Sequence, residues 1–420
     1  MQIQLEQFHL TRLCMHKMPH FKAVAFIGAL ILSLLTACVD QGTEPVIIPP
    51  IPCEDANVLT LPRFSVTVHK KWEKVRGEVI TTIPGSTLAN EDSVRTFFGG
   101  KQVKLVFVIN RIMYLVVYGK TGKSITKISH DDEGLNGAVG SINSPLFSPD
   151  GKKIVFAGTT RGKPSFVLDA VEGNAEAIRL PLDPKAHVLA DPHWHTEGDS
   201  TFIYFATLAG LVNYSENCKQ ILGSTYKVPL LNDTLAGNLS VTRIPGAYRG
   251  GISKDGNWLG TSYASSAIYD RKNASLQILA NGDQQCNPSM NPYPTGSKHM
   301  DYMMILAFGG KYNTITGDSV SEGLHENLWI YNHRNQIVWQ AKRIDENYYL
   351  RYDKPEWSTH PNYATAVALR REDENGDLFV IQIGDLANKD EGKLNQAEAY
   401  FKIISGGFNS DSYSHLWVEP

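Results

Sequence analysis

The sequence predicts an all-β chain assembled from a repeated strand-turn-strand unit, and three observations carry that expectation. Helix-forming periodicity is scarce along the 420 residues, while 18 Tyr, 16 Phe, 7 Trp and 35 Gly suit short strands joined by tight turns. Hydrophobic positions make up 42% and charged positions 20%, which excludes a disordered, collagenous or coiled-coil chain. A segment of apolar strand, Pro-Asp-Gly turn and second strand at 144–156 recurs at intervals of about 40–70 residues. The net charge of −3, with no basic stripe, supplies nothing to neutralise phosphates, so nucleic acid is excluded as a partner.

The N-terminus reads as targeting sequence. Lys17, His20 and Lys22 precede an apolar run over 23–35, too short for a stable membrane helix and suited to a signal peptide. The run ends in Leu35-Thr36-Ala37-Cys38, which resembles the bacterial lipobox. That resemblance implies acylation of the Cys38 thiol, removal of 1–37 and a Pro-rich tether over 38–57. Val39 stands where an Asp would imply inner-membrane retention, so the expectation is a lipid-anchored protein of the bacterial envelope, delivered to the outer membrane. The remainder contains no other apolar stretch approaching a membrane span.

Strands then follow in order. Residues 103–109, 113–118 and 124–129 read as three strands with no clear strand before them to complete a unit. Ser144-Pro145-Leu146-Phe147-Ser148-Pro149-Asp150-Gly151-Lys152-Lys153-Ile154-Val155-Phe156 is the clearest unit. Further units begin at Asp191-Pro192-His193-Trp194-His195, Gly250-Gly251-Ile252-Ser253, Asn287-Pro288-Ser289 and Lys354-Pro355-Glu356-Trp357-Ser358. A half-unit, Ser414-His415-Leu416-Trp417-Val418, closes the chain.

This unit resembles the TolB-type, WD-like β-propeller blade over about 101–420, and that resemblance implies a single propeller of four-stranded blades. Pairing the last half-unit beside 103–109 gives six blades and removes an exposed edge. Seven stay open if 63–69 and 78–82, within the N-terminal extension at 58–100, are outer strands and 95–98 is an inner one. The lipobox, Gly251 to Gly256, Cys286 to Ser289 and the closing Leu-Trp-Val also resemble paralogous lipoproteins of fibre-degrading bacteria whose role is undefined.

Catalytic motifs find little support. Gly119-Lys120-Thr121-Gly122-Lys123-Ser124 lacks the earlier glycine of a phosphate loop, Val117 standing there, and reads as a hairpin turn. His325-Glu326 lacks a second histidine, and no Gly-x-Ser-x-Gly elbow occurs. Asp373-Glu374-Asn375-Gly376-Asp377 reads as a tight hairpin on Asn-Gly, with acidic residues solvating its tip.

Candidate site residues come from the repeat. In propellers the entry of each inner strand lines a funnel, and the resemblance implies that here it gathers His193, His195, Arg249, Asn287, Glu356 and His415, with Asp191 and Asp353 at the rim. The expected use is binding of a protein partner or a glycan. The alternative is a metal-dependent uronate lyase, similar to propeller-type enzymes with His-lined funnels. His195 is expected to face away from His193, which separates the pair a metal would need, so no metal or cofactor is expected. The propeller resemblance implies that Cys218 and Cys286 fall on connections at one face, so a disulfide between them is compatible with an envelope location, as is a pair of free thiols.

Overall fold

The computed structural model describes residues 65–66, 74–110, 112–129, 142–158, 166–169, 175–179, 189–207, 213–215, 220–222, 225–230, 239–240, 242–244, 249–263, 265–273, 275–279, 285–291, 300–307, 327–342, 344–345, 347–373, 375–386, 394–410 and 412–420. The signal peptide, the tether, Cys38 and Cys218 lie outside them. The described residues are nearly all β, with one α-helix, Glu91–Phe97.

Most of the described strands fall into six four-stranded antiparallel groups, called sheets 1 to 6; Lys74–Ile80 joins the first two into one nine-stranded sheet, and two two-stranded pairs stand apart from them. Sheet 1 runs Tyr413–Val418, Val103–Ile109, Ile112–Tyr118 and Lys123–Ser129, so the last strand pairs with the early one expected from sequence, from Tyr413 opposite Val108 to Val418 opposite Val103. Sheet 2 runs Ile142–Phe147, Lys153–Gly158, Phe166–Asp169 and Ala175–Arg179. Sheet 3 runs Leu189–Glu197, Ser200–Thr207, Thr225–Leu230 and Thr242–Ile244, and sheet 4 runs Arg249–Ile252, Trp258–Tyr263, Ser265–Asp270 and Ser275–Ile278. Sheet 5 comprises Gln285–Met290, Met303–Ala307, Leu328–Tyr331 and Ile337–Ala341, and sheet 6 comprises Tyr349–Trp357, Tyr363–Arg370, Gly376–Gln382 and Ala399–Phe408.

Sheets packed on both faces need strands apolar on both sides, not alternating ones. Leu328–Tyr331 and Ile337–Ala341 are buried at every position, and Trp329, Trp339 and Trp357 are among the largest fully buried side chains. The tight turn of the repeat is built as its sequence suggests. Ser148 Oγ donates to Asp150 Oδ1 at 2.6 Å, Lys152 N–H donates to the same oxygen, and Gly151 closes the turn at φ 68°. Ser253, Asp255 and Gly256 repeat this arrangement in sheet 4 although Lys254 replaces the proline. The segment 119–122 is likewise a hairpin turn, Gly119 N–H donating to Gly122 C=O.

The N-terminal extension departs from the seventh-blade option. Lys74–Ile80 pairs with Lys123–Ser129 of sheet 1 and with Ala175–Arg179 of sheet 2, so it joins two sheets rather than starting another. Thr87–Leu88 adds to the outer strand of sheet 6, and Ser65–Val66 pairs with Leu239–Ser240. Residues 95–98, expected as an inner strand, belong to the helix and its C-terminal cap. Asn90 Oδ1 caps it by accepting from Ser93 N–H, and Glu91 and Asp92 suit its positive N-terminal end.

The Asp373 to Asp377 reading also needs correction in its detail. A hairpin does join Tyr363–Arg370 to Gly376–Gln382, but Gly376 begins the second strand instead of forming the turn. Asp377 is fully buried in that strand and does not solvate a tip. Its carboxylate accepts from Arg370 Nη2 and Tyr349 OH, each at 2.5 Å, and from Gly406 N–H at 2.8 Å. Burial pushes this carboxyl up, but the hydrogen bonds from Tyr349, Gly406 and Arg370 outweigh it and hold Asp377 below the usual range.

Candidate functional site

One irregularity recurs at the same place in five first strands. The pairing register shifts between Asn143 and Leu146, Ala190 and His193, Arg249 and Ile252, Cys286 and Ser289, and Asp353 and Glu356. In four of these the bulge contains a proline, Pro145, Pro192, Pro288 or Pro355, which has no N–H to give the ladder. In sheet 4 Gly250 takes its place, because a Cβ there would lie 2.3 Å from the Gly260 backbone. Ser144 and Lys354 adopt φ of 46° and 44° at their bulges. The strand Tyr413–Val418 pairs without such a shift. The repeat therefore encodes a bulge that redirects the residues following it.

Those residues include several of the expected ones. His193 lies against sheet 4: a Cβ on Gly251 would come within 2.9 Å of its Nδ1. Glu356 Oε1 accepts from Ser289 Oγ at 2.7 Å, joining sheets 6 and 5, and Ser289 Oγ accepts in turn from Trp357 N–H at 3.1 Å. His415 is buried, its Nδ1 accepting from Phe147 N–H at 3.0 Å and its ring also hydrogen-bonded to the Trp357 backbone. Burial drives the His415 pKa down to about 3, the hydrogen bond to Trp357 opposes that, and the nearby His193 adds to the lowering. His415 is thus a neutral brace among sheets 1, 2 and 6.

Comparison with known proteins adds likenesses of shape alone. No protein-family model matches the chain, and no curated protein matches it. Among solved structures, TolB from Acinetobacter baumannii is similar at 12% identity over 88% of each chain, with a TM-score of 0.42. Apo AztD from Citrobacter koseri is similar at 8% identity over 76% of this chain and 99% of its own, with a TM-score of 0.37. Oligogalacturonate lyase from Vibrio parahaemolyticus is similar at 12% identity over 68% of this chain and 71% of its own, with a TM-score of 0.34.

The remaining expected residues divide in two. His195 and His193 are two positions apart in one strand and share a face, so the expectation that they point apart is wrong; it is Trp194 that faces away, donating from Nε1 to Leu146 C=O in sheet 2. His195 is buried, edge-on to Tyr204 at 5.3 Å and 3.5 Å from Glu197 Oε1, which also accepts from Tyr204 OH. Asp353 is buried and accepts from Lys354 N–H, while the Lys354 ammonium lies 5.0 Å from the Tyr413 ring centre. The backbones of Asp191, Arg249, Asn287 and Cys286 lie in first strands, and their side chains fall outside the described residues. Cys286 stands within its strand opposite Leu306, not just before it.

Sequence reasoning missed Ser289 as a site residue and Gly251 as the seat of a ring. Both occupy repeat positions that could have been compared with His193 and Glu356, and the signal was their small size.

Proposed function

We propose that the chain is a six-bladed β-propeller held at the bacterial envelope by lipid on Cys38, which binds a protein partner or a glycan at the funnel where its first strands enter. The observation that carries this reading is the packing of first strands. Ile142–Phe147 packs on Leu189–Glu197, which packs on Arg249–Ile252, and so on through Gln285–Met290 and Tyr349–Trp357 to Tyr413–Val418, which packs on Ile142–Phe147. On this reading each sheet is one blade, and the pairing of Tyr413–Val418 with Val103–Ile109 supports closure by the last strand. The recurrent bulges support a binding role, because each precedes a polar first-strand residue, His193, Ser289 or Glu356, and sets the direction in which it leaves the strand.

A photo-crosslinking residue at position 193 in the acylated full chain, with one at exposed position 334 as comparison, tests this in cells. A discrete envelope partner or glycan captured from 193 alone is expected, and equal labelling from both positions refutes the funnel reading. The lyase alternative keeps one specific support, since His193 and His195 share a face after all. Unsaturated product from a polyuronate, lost in His193→Ala, would replace binding with turnover.

A further inference from the structure

The N-terminal extension ends in a turn and a helix, and the turn seats on a pair of glycines in sheet 6. Gly85 and Ser86 close that turn, Ser86 N–H donating to Ile83 C=O at 3.1 Å. It lies on Gly406 and Gly407 of the strand Ala399–Phe408, where Ser86 Oγ donates to Gly406 C=O at 2.9 Å. A Cβ on Gly406 would lie 2.7 Å from the Gly85 carbonyl oxygen, and one on Gly407 would lie 2.3 Å from Ser86 Oγ. Both glycines hold positive φ, 80° and 87°, so backbone conformation and close approach each exclude a side chain. Buried Asp377 fixes the backbone beneath by accepting from Gly406 N–H at 2.8 Å.

The same segment also reaches sheet 1. Thr87 and Leu88 pair with Ser405 and Ile404, and Ala89 N–H donates to Ile403 C=O at 2.9 Å, while Ala89 C=O accepts from Tyr118 OH of sheet 1 at 3.3 Å. Ile83, Val94 and Phe98 are buried in one apolar cluster with Leu105 of sheet 1 and Leu378 and Phe408 of sheet 6, and Phe97 stacks on Phe401 at 4.8 Å. Sheets 1 and 6 each keep their own four strands without this segment, so it can lift away with no pairing lost inside either. A two-residue strand and a seven-residue helix also hold too few bonds to match the stability of the sheets they bridge. We propose that residues 83–98 are a clasp that opens as a unit, locking sheet 6 to sheet 1 when seated and freeing that seam when lifted, with Gly406 and Gly407 as its socket. The clasp does not depend on binding at the funnel.

The test is amide hydrogen exchange of the detergent-solubilised full chain. In wild type the amides of 87–98 should exchange together and at least about tenfold faster than those of Val103–Ile109. Gly407→Ala should speed exchange over 87–98 by about a further tenfold, the low end of what a forced positive φ costs, and leave sheets 3 to 5 unchanged. Where Gly407→Ala does not fold, Phe97→Ala, which removes the stack on Phe401, takes its place with the same expected pattern. Exchange of 87–98 at the rate of Val103–Ile109 in wild type overturns the clasp. So does exchange over 87–98 left unchanged by the variant, or faster exchange spread evenly over all six sheets.

Discussion

His415 gives the sharpest test of how the sheets are held together. It is buried at 4% exposure, and its ring is committed to backbone groups of Phe147 and Trp357. Its folded pKa of about 3 lies below the ordinary 6.5, so between these values the unfolded chain binds a proton that the fold does not. Stability from this group is therefore complete above pH 6.5 and declines as pH falls toward 3. The linkage relation gives a loss of about 2 kcal/mol between about pH 7.5 and about pH 5, rising to about 4 kcal/mol at the folded pKa. In His415→Gln the side chain does not titrate, and the shorter amide reaches one backbone partner instead of two, at a cost of about 1–3 kcal/mol at neutral pH. Urea unfolding of both proteins at several pH values measures the difference. The gap between wild type and variant should close by about 2 kcal/mol on going to about pH 5. Parallel pH profiles would show that His415 is not a buried neutral brace and would refute the argument.

Three further outcomes are expected. Deleting 414–420 should remove the strand paired along Val103–Ile109, together with buried Leu416 and Trp417, and lower the unfolding midpoint sharply; an unchanged, cooperative midpoint would count against ring closure. Asp377→Asn should destabilise by about 3 kcal/mol at neutral pH, the low end for a broken buried pair because Arg370 keeps 23% side-chain exposure. Because the Asp377 pKa is lowered in the fold, wild type holds this stability above the ordinary carboxylate range and loses it as pH falls through the folded value, so unfolding curves of the two proteins should converge in acid. Cys38→Ala should abolish incorporation of radiolabelled fatty acid, and label persisting in the variant would refute the lipobox.

The fold was legible where local chemistry dictates geometry. Ser148 to Gly151 is a turn because Asp150 can satisfy both Ser148 and the Lys152 amide, and the same chemistry recurs at Ser253 to Gly256. The terminal half-unit was legible as a strand in need of a partner. The extension at 74–98 was not, because a strand that adds to two existing edges carries the same apolar alternation as one that founds a sheet. Asp377 was misread for a related reason: a carboxylate in a polar run looks solvated, and only the fold brings Tyr349, Gly406 and Arg370 around it.

The directions of the candidate side chains were not legible in the sequence. Period-two alternation assigns sides within a regular strand, and applied correctly it places His193 with His195 and opposes both to Trp194. Alternation fails across a bulge, where two residues oppose one and the parity of every later side chain changes. Pro145, Pro192, Pro288 and Pro355 mark those breaks in the sequence, so the repeated proline carries more information as a register marker than as a turn former. His415 shows the converse. In the one first strand without a bulge, the histidine stays in the wall between sheets and spends both ring nitrogens on backbone. In the first strands that carry a bulge, by contrast, His193 and Glu356 reach across to the first strand of the neighbouring sheet.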